Sequence, residues 1–380
     1  MEPKTMARND KRSLRAARAM AAALALAGGA ATAQQQAGAV SIYGFLKVDA
    51  EWVGAGGAEG GLPSGKRLSN NLSVLGFRAS EDLGGGLTAW GQIETNVRVD
   101  TGDGPWGGRN TAVGLRGGLG EIVLGQWETP LRFVSIYAID PFTAGIFASN
   151  SIMGNGFATA ANGAAASSFD RRQPNLLQYW SPNVDGFAAR VAYAFSEEKN
   201  DKTAPDLVSG LLTYNKGPLY AAFGYERHRD YFYAGSADSA QRLGLAYSVS
   251  PGLRLRGSWE RLRYQPAPGQ HLSRAAWQLA LTQDLGAQGQ LRASYVRAQA
   301  SRGNAAAAVG GIARPGTDSS ATQVSLGYGH TLSKRTELWA AYTRIANGAA
   351  ALYNLSANGL AGLKAGQDPR GLGLGITHKF

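Results

Sequence analysis

The sequence predicts an all-β protein, a 16-stranded antiparallel transmembrane β-barrel with short turns at one rim and long loops at the other. Three observations carry this prediction. Apolar and polar residues alternate over segments of about ten residues, the length expected of a strand that crosses a bilayer. The connections between these segments alternate in length. Glycine is abundant, with 52 among 380 residues, as expected for many strands and tight turns.

The composition excludes several classes of protein. The chain has no cysteine, so it can form no disulfide scaffold, no thiol nucleophile and no Cys-ligated zinc or iron–sulfur site. Past the N-terminus, no apolar run reaches the roughly 18 residues of a membrane-spanning helix. We expect no cofactor, no metal site and no nucleic-acid partner.

The first 33 residues (1–33) are predicted to be a secretory signal peptide, followed by a barrel domain over residues 34–380. Four basic residues precede an apolar run at residues 19–27, and the segment ends on Ala31-Thr32-Ala33. These 33 residues carry six Lys or Arg and two Asp or Glu, so their removal would lower the net charge from +11 to +7.

The alternation is clearest in two early segments. Over residues 87–98, the odd positions are mostly apolar and the even positions mostly polar. Over residues 40–52, the polar side carries Lys47, Asp49 and Glu51. Burying such charges in a dry core would cost several kcal/mol each. We therefore expect the polar sides to line a water-filled lumen and the apolar sides to face lipid.

Similar segments and connections continue to the C-terminus. The alternation recurs at residues 219–225, 243–249, 253–259, 277–281, 291–295, 324–328, 338–342 and 372–380. Short connections are predicted at residues 83–86, 117–120, 182–186, 216–218, 250–252, 286–289 and 333–335, and long ones near residues 54–68, 99–108, 128–170, 197–206, 228–240, 265–273, 299–320 and 346–370. Seven short and eight long connections require sixteen strands, enough to enclose an aqueous channel.

Several motifs resemble a known family. The mature chain opens with Ser41-Ile42-Tyr43-Gly44, residues 75–87 read LGFRASEDLGGGL, and residues 113–120 read VGLRGGLG. Residues 178–182 read QYWSP, Gly186-Phe187 follow, and the chain ends on Phe380. In this order, residues from about 38 to 380 resemble the general porins of β-proteobacteria, of the Neisseria/Burkholderia type. The resemblance implies a homotrimer whose third long loop, at about residues 128–170, folds into the lumen.

The same resemblance implies a function and a location. It implies a porin of the Gram-negative outer membrane that lets ions and small hydrophilic solutes diffuse passively. The charge balance adds a preference for anions. The partners would be outer-membrane lipid, lipopolysaccharide, the barrel assembly machinery and the diffusing solutes. Gln126 stands where the family usually has an arginine, so one wall charge is expected to be missing.

The candidate selectivity residues are charges on the predicted lumen wall and on the third loop. In the porins that this chain resembles, arginines matching Arg78, Arg116 and Arg172 form a basic ladder at the constriction. Acids oppose that ladder, and Glu94 and Asp140 are the candidates here. Arg98 lies nearer a loop mouth, where it can steer ions, and Arg132 opens the third loop. Each arginine has an alternative reading as a rim residue that contacts lipid phosphate. The full candidate set is Arg78, Arg98, Arg116, Arg132, Arg172, Glu94 and Asp140.

Two features are predicted to direct assembly. Phe380 ends a strand that carries Leu372, Leu374 and Ile376 on one face, which resembles the C-terminal signature read by the outer-membrane insertion machinery. The outer faces of the first strands carry small residues, which would let two barrels approach closely. These small residues are Gly44, Ala50, Ala89 and Gly91.

Alternative functions remain open at this point. One is a solute-specific channel with a saturable anion-binding site along the arginines. Another is an outer-membrane barrel hydrolase that uses a histidine and a carboxylate, and a third is a soluble secreted all-β binding protein. The four histidines are scattered and form neither an HExxH motif nor a defensible Ser/His/Asp order. We therefore expect no enzymatic activity.

Overall fold

The computed structural model describes residues 39–57, 60–104, 106–136, 138–143, 145–158, 166–196 and 203–380. The predicted signal peptide lies outside the described residues. The strands are β1 (Ala39–Gly57), β2 (Leu62–Asn70), β3 (Val74–Gly84), β4 (Leu87–Asn96), β5 (Thr111–Gly117), β6 (Gly120–Glu128), β7 (Phe157–Ala158), β8 (Asp170–Trp180), β9 (Phe187–Ala194), β10 (Asp206–Lys216), β11 (Leu219–Arg229), β12 (Ala237–Ser248), β13 (Leu253–Tyr264), β14 (Leu272–Leu285), β15 (Gly289–Ala298), β16 (Arg302–Gly303), β17 (Ala321–Thr331), β18 (Thr336–Asn347) and β19 (Gln367–Lys379).

The helical segments are short. Among the described residues, they are α1 (Phe133–Ile136) and single 3-10 turns at Pro130–Arg132, Ser149–Ser151, Met153–Asn155 and Thr317–Ser319. In the described ranges, no helix has the length and apolar character needed to cross a membrane.

The wall is a closed antiparallel sheet of sixteen strands, as the sequence predicts. β2 pairs with the C-terminal half of β1 and β3 with its N-terminal half, so these two segments form one wall strand interrupted at residues 71–73. β7 pairs in parallel with β8, and β16 covers only the end of β14, so neither crosses the wall. The sheet closes where β1 pairs with β19, from Phe45 opposite Lys379 to Gly57 opposite Gln367.

The connections agree with the predicted alternation except at one place. All seven predicted short connections join neighbouring strands, and Gly84, Gly85 and Gly86 in the first of them have φ values of 82°, 63° and 79°, which favour glycine. The prediction of a long loop near residues 54–68 is wrong. β1 continues to Gly57 because residues 53–57 pair with residues 367–371 of β19, and β2 begins soon after.

The two faces of the wall differ as the alternation predicts. The outer face exposes large apolar side chains, among them Val113, Phe223 and Leu326. The inner face carries buried charged side chains such as Glu226 and Arg242. Lipid-facing residues and interior residues therefore alternate along each strand.

Loop 3 (residues 129–169) folds into the barrel. Leu131 and Val134 pack against Gly224 of β11, where a methyl group would lie 2.9 Å from both side chains. Further along, Phe142 lies against β17 at Gly327, and Phe147 lies against β19 at Gly373. Loop 3 thus crosses from one side of the lumen to the other and narrows the channel.

Candidate functional site

Buried ion pairs join the two ends of loop 3. Glu128 Oε1 lies 2.8 Å from Arg172 Nη2 and 3.3 Å from Arg132 Nε. Arg132 Nη1 lies 3.7 Å from Asp170 Oδ1. All four side chains are at most 3% exposed. We call this cluster the loop root. Two arginines face two carboxylates, so the loop root presents little net charge to a passing ion.

A second buried cluster holds the returning limb of loop 3 against the wall. Arg242 Nη2 donates to Glu260 Oε2 at 2.7 Å, and Arg274 donates to the other oxygen of the same carboxylate. The Gly154 N–H lies 3.0 Å from both oxygens of Glu260. Arg274 Nη1 also donates to the Ile152 carbonyl at 2.9 Å. Loop 3 is therefore attached at its root and again on β12, β13 and β14.

Five cations line the lumen near the short-turn ends of their strands. We call this set the basic arc. Each side chain is partly exposed, and each alternates with residues on the lipid-facing side. The arc comprises Arg190 on β9, Arg254 and Arg256 on β13, Arg292 on β15 and Lys47 on β1.

Aromatic rings and neighbouring charges position the arc. The Arg190 guanidinium lies 4.1 Å from the centre of the Phe133 ring of loop 3 and 4.4 Å from that of Trp180. Lys47 Nζ lies 5.0 Å from the centre of the Trp339 ring. Arg254 and Arg292 both act electrostatically on Arg256. The arc is therefore a run of like charges held on fixed side chains.

Among the described residues, three carboxylates act electrostatically on Lys47 of the arc: Asp49, Glu337 and Asp140. Glu337 accepts a hydrogen bond from Arg292. Asp140 accepts backbone N–H donors from Phe142 at 2.9 Å and Ser149 at 2.5 Å, and burial raises the pKa of this carboxyl above its ordinary value. Five cations thus stand against three carboxylates. Lys47, Arg256 and Arg292 of the arc line a cavity of about 380 Å³ that is also lined by loop 3.

The sequence-predicted arginines are divided among several places. Arg132 and Arg172 belong to the loop root, and Asp140 belongs to the arc. Arg78 lies over the Trp90 ring at 5.0 Å, on the lumen side of β3. Arg116 lies next to the turn after β5, where its half-exposed side chain pairs with Glu121 at 2.7 Å. It occupies the short-turn rim, outside the constriction.

Glu94 and Arg98 lie toward the long loops. Glu94 pairs with Arg109 at 2.6 Å and accepts a hydrogen bond from the Tyr43 hydroxyl at 3.2 Å. Arg98 lies beyond the end of β4, 3.5 Å from Asp103, and lines a cavity of about 500 Å³ on the long-loop side of loop 3.

Sequence reasoning did not single out Arg190 or Arg292. The signal was present, since Arg190 stands before outward-facing Val191 and Arg292 after outward-facing Leu291. The same alternation placed Arg254 and Arg256 on a polar face. What the sequence lacked was the path of loop 3, which decides which inward charges border the narrow part of the channel.

Comparisons with known proteins agree on one family. The profile of the Gram-negative porins matches residues 19–350. The chain is 29% identical over 379 residues to outer membrane porin protein 32 of Delftia acidovorans, covering 95% of this chain and 99% of that protein. The solved structure of the anion-selective porin from Comamonas acidovorans aligns with a TM-score of 0.71 at 26% identity, covering 90% of this chain and 100% of that one. OmpT of Vibrio cholerae, at 16% identity and a TM-score of 0.67, shares the fold over 92% of this chain and 100% of its own.

Proposed function

Because this chain belongs to the Gram-negative porin family and forms an outer-membrane channel for passive diffusion, we propose that it passes small anions more readily than cations. The basic arc carries this proposal. A unit charge roughly 8 to 10 Å from a permeating ion contributes about 2 kcal/mol at an effective dielectric constant of 20. Several such charges of one sign give a clear bias. The related solved structure is described as an anion-selective porin, which supports the same direction.

A salt gradient across a planar bilayer tests the selectivity. The variant R254E/R256E reverses two charges of the arc, and we expect its zero-current potential to move toward cation preference. The matched control K334E/R335E makes the same charge change at an exposed short turn on the rim. We expect a much smaller shift there. If both variants shift equally, or if R254E/R256E keeps the parental potential at low salt, the arc does not set selectivity.

We propose a channel without catalysis, and the placement of His228 and His378 supports this proposal. His228 is fully buried and stacks between the rings of Phe169 at 4.3 Å and Tyr231 at 4.5 Å, so no substrate reaches it. His378 bonds to Thr336 at the end of β19. An assay of the purified barrel with ester and phosphoester substrates tests this proposal. We expect no hydrolysis, and measurable hydrolysis would contradict the proposal.

We propose that the homotrimer forms through the outer face of β1 to β6. Ala79, Gly91 and Val113 line an outward cavity of about 480 Å³ there, and a side chain at Gly91 would meet open space. A solved Vibrio cholerae relative is described in a trimer form. The Gly44 position is more crowded than the Gly91 position, because a methyl group there would lie 2.9 Å from the Phe380 ring and even closer to a backbone carbonyl.

Gly91→Trp tests this face directly. We expect the heat-modifiable trimer band to be lost while the folded monomer remains. Gly210→Trp on β10 is the matched control, since Gly210 also faces outward with space around it. Equal trimer yields for the two variants would place the subunit contact elsewhere.

We propose that Phe380 is read by the barrel assembly machinery. The Phe380 N–H donates to the Gly44 carbonyl at 3.1 Å, and the Gly44 N–H donates to the Phe380 carbonyl at 3.3 Å, so the residue also completes the wall. Deleting Phe380 should reduce insertion in cells more than refolding into detergent, where no machinery acts. Phe380→Tyr should restore insertion. Equal losses in the two settings would make the role purely structural.

A further inference from the structure

Loop 3 and the loops that follow β16 and β18 meet around a cavity on the long-loop side of the constriction. Its volume of about 500 Å³ lies within the usual range of about 300 to 1,000 Å³ for small-molecule sites. Asparagine and serine dominate the lining, and we call this cavity the amide vestibule. Its amides are those of Asn70, Asn96, Asn150, Asn155, Asn354 and Asn358.

The amide vestibule carries little net charge. Among its described lining residues, Arg98 is the only Lys, Arg, Asp or Glu, and its guanidinium lies 3.5 Å from the Asp103 carboxylate. The basic arc, nearer the short turns, combines five cations with three carboxylates. A charged solute therefore meets several fixed charges at the arc and almost none in the vestibule.

Two of the amides join loop 3 to the other loops. Asn155 donates to the Val309 carbonyl at 3.0 Å and accepts a hydrogen bond from the Gly311 N–H at 2.9 Å. Asn150 accepts a hydrogen bond from the Ser356 hydroxyl at 2.5 Å. Each asparagine links loop 3 to a different long loop, so the walls of the vestibule are held in place around an open centre.

Three other amides are bonded through one of their two polar atoms, and all three residues are half-buried. Asn96 Oδ1 accepts a hydrogen bond from Arg109 at 3.2 Å, and Asn70 Oδ1 accepts one from the Ser73 N–H at 3.3 Å. Asn358 Nδ2 donates to the Asn70 carbonyl at 3.0 Å. Within the part of the chain that the structure describes, the Nδ2 groups of Asn70 and Asn96 and the Oδ1 atom of Asn358 have no hydrogen-bond partner. Two amide donors and one amide acceptor are therefore oriented and available to a ligand.

Unfavourable backbone conformations concentrate around the vestibule. Six of the described non-glycine residues have φ values in the left-handed region, and three of the six line this cavity. These three are Leu72 at 61°, Asn155 at 59° and Ala357 at 62°. A bulky residue such as leucine avoids this region unless the surrounding structure imposes it, and such strain clusters at functional sites. The clustering supports a binding role for these walls.

Apolar side chains complete the lining, among them the half-buried Leu72 and Leu352. A sugar-like solute has hydroxyl groups, which both donate and accept hydrogen bonds. It also has C–H faces, which gain free energy when they leave water for an apolar surface. The available amide donors and acceptor match the hydroxyl groups, and the leucines match the C–H faces.

We propose that the amide vestibule is a saturable binding site for neutral polyhydroxylated solutes, of the size of a mono- or disaccharide, on their way to the constriction. An ion finds little counter-charge there, and an apolar solute would leave the available amide groups unpaired at a cost in free energy. Binding is weak enough for the solute to move on, as conduction through a channel requires. The inference rests on the channel function, and it is independent of the anion preference.

Titration of trehalose, a neutral disaccharide, against the ionic current through single channels in a planar bilayer tests the proposal. We expect trehalose on the long-loop side to reduce the parental current until the effect saturates. The variant N70L/N96L removes both available amide donors, and we expect half-saturation at a concentration at least about fivefold higher. The matched control N215L/Q288L removes two exposed amides at short turns, and its half-saturation should stay within about twofold of the parent. The current without sugar shows that each variant has formed an open channel.

A polyethylene glycol of similar mass separates binding from simple filling of the channel, and this comparison needs only the parent protein. The polymer has ether oxygens but few hydroxyl groups, so we expect its effect on the current to rise without saturating. The proposal is overturned if trehalose does not saturate, if both solutes saturate at the same concentration, or if N70L/N96L keeps the parental half-saturation.

The zero-current potential of N70L/N96L in a salt gradient should equal that of the parent, because the variant changes no charge. Trehalose titration therefore tests the vestibule, and the salt-gradient measurement on the arc variants tests the anion preference. Either proposal can fail while the other holds.

Discussion

The loop root and the basic arc are built from the same residue type and behave in opposite ways. In the root, Arg132 and Arg172 are almost fully buried and share Glu128 and Asp170 as counter-charges. In the arc, five partly exposed cations stand against three carboxylates. The difference shows that the position of the acids, and not the number of arginines, decides whether a cationic side chain holds the loop or acts on the permeating ion.

Removing one acid from each region gives the sharpest contrast. Glu128→Gln leaves two buried arginines without their shared carboxylate, and we expect a loss of about 3 to 5 kcal/mol in the free energy of unfolding. Glu337→Gln removes the partly exposed partner of Arg292, and we expect a loss of about 0 to 1 kcal/mol. Urea unfolding in detergent measures both. Similar losses would mean that the two regions do not differ in burial as described.

The wall glycines against which loop 3 packs give a second, smaller contrast in stability. Gly224→Ala or Gly244→Ala places a methyl group 2.9 Å from Val134, and we expect about 1 to 3 kcal/mol of destabilisation through overpacking. Gly257→Ala on the lipid-facing side meets atoms no closer than 3.5 Å and should be nearly neutral. Unfolding curves report the stability of each variant, and single-channel noise reports how firmly loop 3 is held in the channel. A quiet, fully stable Gly224→Ala channel would contradict the packing of loop 3 on β11.

Acidification should act on the arc through Asp140. Burial raises the pKa of this carboxyl, so it binds a proton at a higher pH than an exposed aspartate does. As the pH falls through that raised pKa, one negative charge of the arc disappears and anion preference should increase. Asp140→Asn should show the increased preference at neutral pH and a weaker pH dependence. Reversal potentials between pH 7 and 4 provide the measurement, and an unchanged profile in the variant would remove Asp140 from the lumen.

The smallest expected effect is the different response of the arc and the loop root to salt. Screening lengths fall from about 10 Å at 0.1 M to about 3 Å at 1 M. The difference in selectivity between the parent and R254E/R256E should therefore shrink at high salt. The stability difference caused by Glu128→Gln should change little, since buried pairs are screened far less. A root variant as sensitive to salt as the arc variant would show that water reaches Glu128.

Much of the architecture can be predicted from local patterns. The period of two over residues 87–98 and the glycine triplet at residues 84–86 predict a hairpin because both are short-range physical requirements. The glycines at residues 54–57 suggested a loop, but long-range pairing with β19 keeps the chain extended there. Local sequence does not contain that partner.

The site was less predictable for the same reason. Alternation correctly placed Arg78, Arg254 and Arg256 on inward faces, but it did not give their depth or their counter-charges. The sequence pattern around Arg116 is that of a wall residue. In the structure, Glu121, its partner across the short turn, holds Arg116 at the rim. Only the path of loop 3, set by contacts with strands far along the chain, shows which charges border the constriction.

The pairing of β1 with β19 has a consequence for how the chain reaches this fold. The seam joins residues 45 and 379, which lie 334 positions apart, and closing a loop of that size costs about 5 kcal/mol of chain entropy. A neighbouring hairpin costs far less, so the seam should form late, after the rest of the sheet. Until then the sheet has two unpaired edges, and such edges can pair with other copies. The thirteen residue pairs of the seam therefore remove both edges once they form, in addition to closing the wall.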